Sequence, residues 1–185
     1  MFDTIFGLPV HALVVHATVV VVPTAALAVG LSAGWPRFRR WAGFLPLLLS
    51  LLAVVLVPIS TSSGEALERR VGPSDLVERH ADLAEGLLLP VLVLLVAAVA
   101  VYWVHLKEDA VDRPAGWAAR AVERTGGSGR PGVAVMAVVS VVAAVGVIGT
   151  VVQVARIGHS GAEAAWSGVA AQSPSPQDGD QDGDK

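Results

Sequence analysis

The sequence contains five histidines and no cysteine, so imidazole nitrogens are its strongest candidate ligands. Two of them, His11 and His16, lie in a stretch that carries no charged residue from Gly7 to Gly34. An ionisable side chain in such a stretch is costly unless a ligand or a partner side chain meets it. Without thiolates, a metal or cofactor must be held by histidine, carboxylate or backbone oxygen. The histidines are therefore the first place to look for chemistry.

The composition places the chain among membrane proteins. Of its 185 residues, 54% are hydrophobic and only 16% are charged, which lies outside the range of ordinary soluble domains. Four apolar stretches, at about residues 8–33, 43–61, 81–106 and 133–157, are long enough to cross a bilayer. We therefore predict an all-α, polytopic four-helix transmembrane bundle over residues 1–171. Residues 172–185, rich in Ser, Pro, Gly and Asp, are predicted to form a disordered acidic tail.

The basic residues predict the orientation of the bundle. Of the 13 Lys and Arg, eight lie in the loops after the first and third spans and five lie on the opposite side. Because cytoplasmic loops carry an excess of Lys and Arg, both termini are predicted to be extracytoplasmic in a multi-pass protein of the plasma (inner) membrane. Four histidines then fall at or just below the outer face, and these are His11, His16, His80 and His159.

Two motifs carry a family resemblance. Gly7-Leu8-Pro9-x-His11 is followed by Leu13-x-x-His16, and Gly158-His159-Ser160-Gly161-Ala162-Glu163 is followed by Trp166 and Gly168-Val169. Together they resemble the bacterial membrane proteins grouped as domain of unknown function 2231. The resemblance implies a membrane architecture and names no activity. The chain departs from the family pattern at Ala12, Ala17 and Thr18, and it lacks a second histidine after the aromatic residue, so these are the positions at which an ancestral site would be altered.

The histidines suggest haem b held by two neutral imidazoles from facing helices, as in an electron-transfer module. The candidate cofactor-binding residues are His11, His16, His80 and His159. On a helix His11 and His16 are about 140° apart, so they do not point the same way. If His16 faces the bundle interior, His11 lies at its mouth. The predicted partners are the lipid bilayer and a redox protein in the membrane or outside the cytoplasm, which favours a redox subunit over a self-contained enzyme.

Two other hypotheses remain open from the sequence. One is a zinc or other divalent-metal site at the outer mouth, formed by His80, His159 and Glu163 together with Asp82 or Glu85. The other is a non-catalytic membrane scaffold without a cofactor, whose histidines hydrogen-bond backbone carbonyls across the bundle. The sequence shows no nucleic-acid-binding patch, phosphate-binding loop or Ser-His-Asp set, so neither a nucleic-acid partner nor hydrolytic chemistry is predicted.

The orientation is testable with reporter fusions. Alkaline phosphatase fused after Gln172 is expected to be active, and the same enzyme fused at Gly127 to be inactive, because loops rich in Lys and Arg stay in the cytoplasm. Phosphatase activity of whole cells, normalised to the amount of fusion protein, makes the measurement. The reverse pattern would place the four histidines at the cytoplasmic face.

Overall fold

The helices account for nearly all of the residues that the structure describes. The computed structural model describes residues 4–5, 8–71, 74–113, 120 and 129–170, and it describes side chains for 11–69, 74–113, 120 and 129–167. The predicted tail at 172–185 lies outside the described residues. The elements in chain order are β1 (Thr4–Ile5), β2 (Leu8–Pro9), α1 (Val10–Gly34), α2 (Pro36–Ala42), α3 (Leu45–Val71), α4 (Asp75–Glu85), α5 (Leu88–Asp112) and α6 (Val133–Ala170).

Four helical segments are long and apolar enough to cross a membrane: α1, α3, α4 with α5, and α6. This confirms the predicted all-α four-helix bundle and makes the chain a multi-pass membrane protein. The first helix packs mainly against α3, and α5 packs mainly against α6, so the bundle consists of two antiparallel helix hairpins. The two short strands pair with each other just before α1.

Two helices extend well past the spans that hydropathy indicates. The third helix, α3, has 27 residues and α6 has 38, although about 20 residues suffice to cross the hydrocarbon. The extra turns carry Ser63 and Gly64 on α3, and Ser160 and Gly161 on α6. These extensions place small and hydroxyl-bearing residues beside the histidines at one end of the bundle, which we call the histidine end.

The third span is broken between α4 and α5 at Gly86 and Leu87. The side-chain amide of Gln153 on α6 donates a hydrogen bond to the carbonyl of Leu83, 2.5 Å away, in the last turn of α4. A Cβ at Gly86 would lie 2.8 Å from the same amide nitrogen. Glycine therefore makes room for the side chain that satisfies the backbone at the break.

Each spanning helix turns one row of residues toward the bundle interior. The members of a row are separated alternately by four and three residues, the spacing that keeps one face of a helix against its neighbours. In α1 the row is His11, Val15, Thr18, Val22, Ala25, Val29 and Ser32, and in α6 it is Val139, Ala143, Gly146, Thr150, Gln153, Ile157 and Ser160. All of these residues are buried or half-buried. Half of these fourteen residues are alanine, glycine, serine or threonine, which lets the helices approach closely.

The outer surface of the bundle is apolar. Val20 of the first hairpin, and Leu89, Val138 and Ile148 of the second, are all more than 60% exposed. Contiguous apolar surface of this extent is not stable in water, and it fits the hydrocarbon of a bilayer. The apolar side chains therefore contact lipid, while the small residues of the rows contact one another.

Opposite the histidine end, an ion pair closes the bundle at what we call the arginine end. The guanidinium of Arg39 on α2 is 2% exposed and forms a two-pronged pair with Glu108 on α5, at 2.7 Å and 3.2 Å. Its remaining nitrogen donates to the carbonyls of Ser32 and Ala33. One side chain thus caps the last turn of α1 and fastens it to α5.

A close helix contact lies between α5 and α6. A Cβ at Gly146 would lie 3.0 Å from the backbone of Leu94, whereas a Cβ at Gly158 on the same helix would meet nothing within 4 Å. Gly146→Ala is therefore expected to destabilise the bundle by about 1–3 kcal/mol, because the helices must separate. Gly158→Ala is the control and is expected to be neutral or stabilising. Thermal unfolding in detergent makes the comparison, and equal midpoints for the two variants would contradict the close contact.

The ion pair at the arginine end predicts a strong dependence on Arg39. Arg39→Met is expected to lower the free energy of unfolding by about 3–5 kcal/mol, because it leaves Glu108 without its partner. The exposed Arg37 is the matched control, and Arg37→Met should change it by no more than about 0.5 kcal/mol. The double variant Arg39→Met/Glu108→Met should be more stable than Arg39→Met alone. If the double variant is instead less stable than Arg39→Met, the unpaired Glu108 does not account for the loss in free energy of unfolding.

Candidate functional site

A cavity of about 720 Å³ lies at the histidine end, among α1, α3, α4 and α6. Its size is within the usual range of small-molecule sites, about 300–1,000 Å³. The walls are mainly valine, leucine, isoleucine and alanine side chains, many of them members of the inward-facing rows. Two histidines, His11 and His80, interrupt this apolar lining. The cavity thus combines an apolar wall with two imidazoles.

His11 lies in the first turn of α1 and reaches across to α3. Its Nδ1 is 3.0 Å from the hydroxyl oxygen of Ser63. The ring packs against Gly64, where a Cβ would lie only 3.2 Å from the imidazole Cε1. Serine and glycine at these two positions therefore hold the ring by a hydrogen bond and leave it room.

His80 occupies the corresponding place in the second hairpin. It lies on α4 and its Nδ1 is 3.0 Å from the hydroxyl oxygen of Ser160 on α6. The ring packs against Gly161, where a Cβ would lie 3.0 Å from Cε1. His11 and His80 are close enough to interact electrostatically when both are charged.

Each serine hydroxyl has a second partner besides the histidine. The Ser63 oxygen lies 2.8 Å from the carbonyl of Ser60, and the Ser160 oxygen lies 3.0 Å from the carbonyl of Ile157. A carbonyl only accepts, so when the hydroxyl hydrogens point to these carbonyls each serine oxygen accepts from a histidine. In that arrangement both rings carry hydrogen on Nδ1, and in the neutral ring the lone pair is on Nε2. A nitrogen in this form is a metal ligand.

The structure does not bring the other two candidate cofactor ligands into the cavity. His16 is exposed on the outer surface of α1, and its Nδ1 donates to the carbonyl of Ala12 one turn earlier. His159 is 77% exposed, and its Nε2 is 3.2 Å from a carboxylate oxygen of Glu163. Both residues fall outside the inward-facing rows, which contain His11 on α1 and Ser160 on α6.

The residues of the metal hypothesis are divided in the same way. His80 faces the cavity and contacts Ser160, whereas His159 and Glu163 pair with each other at the surface, where Arg79 also approaches Glu163 at 4.0 Å. Within residues 4–5, 8–71, 74–113, 120 and 129–170, no three His, Asp or Glu side chains are grouped closely enough to hold a metal ion. A zinc site at the outer mouth stays a prediction.

The charges of the lining are all of one sign. Glu65, Glu68 and Glu85 contribute to the wall, and none of the described lining residues is Lys or Arg. Carboxylates repel a phosphate or another anion that has no partner of its own, and they attract positive charge. The cavity is therefore suited to an apolar ligand with a neutral or positive centre.

The fifth histidine lies at the arginine end. His105 lines a polar cavity of about 220 Å³ with Arg40, Asp109, Asp112 and Arg113. Its Nδ1 is buried and has no hydrogen-bond partner among the described residues, and its ring stacks on Tyr102 at 6.0 Å. The acids here already pair with arginines, Asp109 with Arg113 and Asp112 with Arg130. His105 is therefore remote from the cavity that contains His11 and His80.

Comparison of the chain with protein-family models, curated proteins and solved structures finds no match. The resemblance to the domain of unknown function 2231 therefore remains a prediction, carried by the motifs around His11 and His159. The case for function consequently depends on the geometry of the cavity.

From the sequence, Ser60 to Ser63 with Gly64 are candidates for a polar entrance, and Ser160 and Gly161 belong to a family motif, but the sequence does not predict their contacts with His11 and His80. The sequence contains a signal for these residues, because the dipeptide Ser-Gly occurs on both α3 and α6. Gly64 continues the inward-facing row of α3, and Ser160 continues that of α6. Apolar residues on both sides of the helices conceal that row when hydrophobicity alone is considered.

Proposed function

We propose that the chain is a haem b-binding electron-transfer module of the bacterial inner membrane, with His11 and His80 as the two axial ligands. The observation that carries the proposal is that these two imidazoles, one from each hairpin, line a single apolar cavity with Nε2 as the available nitrogen. Axial ligation by two histidines from different helices is a recurring way to hold haem in a helix bundle.

The lining supports a flat apolar ligand in three respects. Val15, Val154 and Ile157 provide apolar walls, and the cavity volume of about 720 Å³ is ample for a large ring. The hydrogen bonds from Nδ1 to Ser63 and Ser160 orient the rings, as the outer partners of metal-binding histidines do. Haem b would supply one-electron transfer at this position.

If both imidazoles held the haem iron, they would leave no iron position for oxygen or a substrate. This arrangement is suited to electron transfer and not to oxygen activation. His11 and His80 then act as permanent ligands and undergo no change of partner. A redox protein in the membrane or outside the cytoplasm would exchange electrons with the site, in agreement with the orientation that the basic residues predict.

The carboxylates that line the cavity mean that a bound haem needs positive charge near its own acidic groups. Haem b has two propionate groups, and Glu65, Glu68 and Glu85 repel them. Arg69 and Arg79 are exposed and adjoin lining residues Glu68 and His80 in the chain. We infer that these arginines provide the positive charge for the propionates at the mouth of the cavity.

The proposal is tested by the absorption spectrum of protein purified in detergent from haem-replete cells. The parent is expected to show the spectrum of six-coordinate, low-spin haem, and His11→Ala and His80→Ala are expected to lose the haem or become five-coordinate. His16→Ala, from the same helix as His11, and His159→Ala are matched controls that should retain the parent spectrum. Added imidazole should restore the six-coordinate spectrum to His11→Gly.

Other outcomes point to the remaining hypotheses. A parent without haem, both as purified and after reconstitution, overturns the haem proposal. Stoichiometric zinc in that protein, lost in His80→Ala and His159→Ala, would favour the metal site. If the parent contains neither haem nor zinc, and all histidine variants unfold at the same temperature as the parent, the scaffold hypothesis is the better account.

A further inference from the structure

The contact between histidine and Ser-Gly occurs twice in the molecule. In the first hairpin His11 of α1 meets Ser63-Gly64 of α3, and in the second His80 of α4 meets Ser160-Gly161 of α6. The distance from Nδ1 to the serine oxygen is 3.0 Å in both. We call each set of three residues a histidine seat. The two seats use the same atoms in the same roles.

The local reason for each seat is also the same. In both, the serine hydroxyl turns back to the carbonyl three residues earlier, that of Ser60 or Ile157. A serine inside a helix satisfies its hydroxyl in this way, and its oxygen then remains an acceptor on the helix surface. In both, the next residue is glycine, and the imidazole lies over it. Two unrelated contacts would have no reason to share this order of serine and glycine.

The hairpins that carry the seats also correspond. Each begins at the histidine end with the helix that bears the histidine, crosses to the arginine end and returns by the helix that bears Ser-Gly. Both hairpins therefore run in the same direction. Repeats of this kind are related by an axis along the membrane normal, and sites of repeat-built membrane proteins lie between the repeats. The cavity lined by His11 and His80 lies there.

We propose that the chain is a duplicated helix hairpin, and that Ser63 and Ser160 are positioning residues that present both histidines to one ligand as equivalent Nε2 donors. The ligand class follows from the equivalence, because both sides of the ligand meet a neutral nitrogen lone pair. A metal centre with two open, opposite positions satisfies this, whereas an organic ligand with a donor at one end and an acceptor at the other does not. That the metal centre is haem rests on the proposed function. The position of the hydrogen on each imidazole does not.

The form of the imidazoles is measurable without any ligand. Nitrogen NMR of the full chain in detergent, labelled at histidine and purified without cofactor, distinguishes hydrogen on Nδ1 from hydrogen on Nε2. The expected result is Nδ1–H in the neutral rings of both His11 and His80. Ser63→Ala should lose this preference in His11 alone, and Ser160→Ala in His80 alone. The threonine variants at the two positions keep a hydroxyl and should restore it.

Ser62→Ala is the matched control, because Ser62 adjoins Ser63 on α3 and is exposed. It should leave both rings unchanged. If Ser63→Ala and Ser160→Ala also leave both rings unchanged, or if only one of the two serines has an effect, the proposal of equivalent seats is overturned. Thermal unfolding of each variant identifies a loss of fold, and the threonine variants then provide the comparison.

The loaded protein separates this inference from the proposed function. Loss of an outer-shell partner typically weakens a metal site 10–100-fold, so each alanine variant should release haem about that much more readily, and both by a similar factor. A parent that binds no haem but shows the expected imidazole forms would reject the proposed function and keep the duplicated seats. A parent that binds haem with unchanged affinity in both alanine variants would keep the function and reject the seats.

Discussion

The buried pair of Arg39 and Glu108 is the constraint on which the arrangement of the helices depends. The guanidinium caps the carbonyls at the end of α1 and holds them against α5, so one side chain fixes two helices that belong to different hairpins. Its charge is satisfied by an acid and by carbonyl oxygens, which is the condition under which an arginine can be buried. The bundle is thus held closed at the arginine end, and the large cavity lies at the opposite end.

Large apolar side chains lie on the surface of this protein as well as in its interior. Valine and leucine occur in both places, and in the interior rows valine is interspersed with alanine, glycine, serine and threonine. Lipid is as apolar as leucine, so burial of large apolar side chains gives no preference between inside and outside, and close packing decides. The close contact of Gly146 with the backbone of Leu94 is the clearest instance. Toward the histidine end the same rows contribute His11 and Ile157 to the lining of the cavity, so the packing and the cavity share one pattern.

The four spans follow from the sequence because a bilayer requires about 20 apolar residues in succession, and a helix is the only single segment that satisfies its own backbone there. The helix ends do not follow. The third helix, α3, and α6 continue past the predicted spans with polar residues such as Ser63 and Glu65, which hydropathy indicates as loop or as the end of the span. The break at Gly86 depends equally on a distant residue, since Gln153 of another helix satisfies it.

The sequence by itself determined that histidine is the only strong nitrogen ligand, that four helices cross the membrane, and that His11, His16, His80 and His159 lie near one end. Only the tertiary structure decided which of them share a cavity. His16 lies deeper in the predicted span than His11, but depth does not determine the direction in which a side chain points. Direction is set by the row that packs against the other helices, and in a helix that is apolar on all sides no contrast of polarity marks that row. The fold therefore places His11 and His80 in one cavity and in contact with Ser63 and Ser160, because only packing distinguishes one face of such a helix from another.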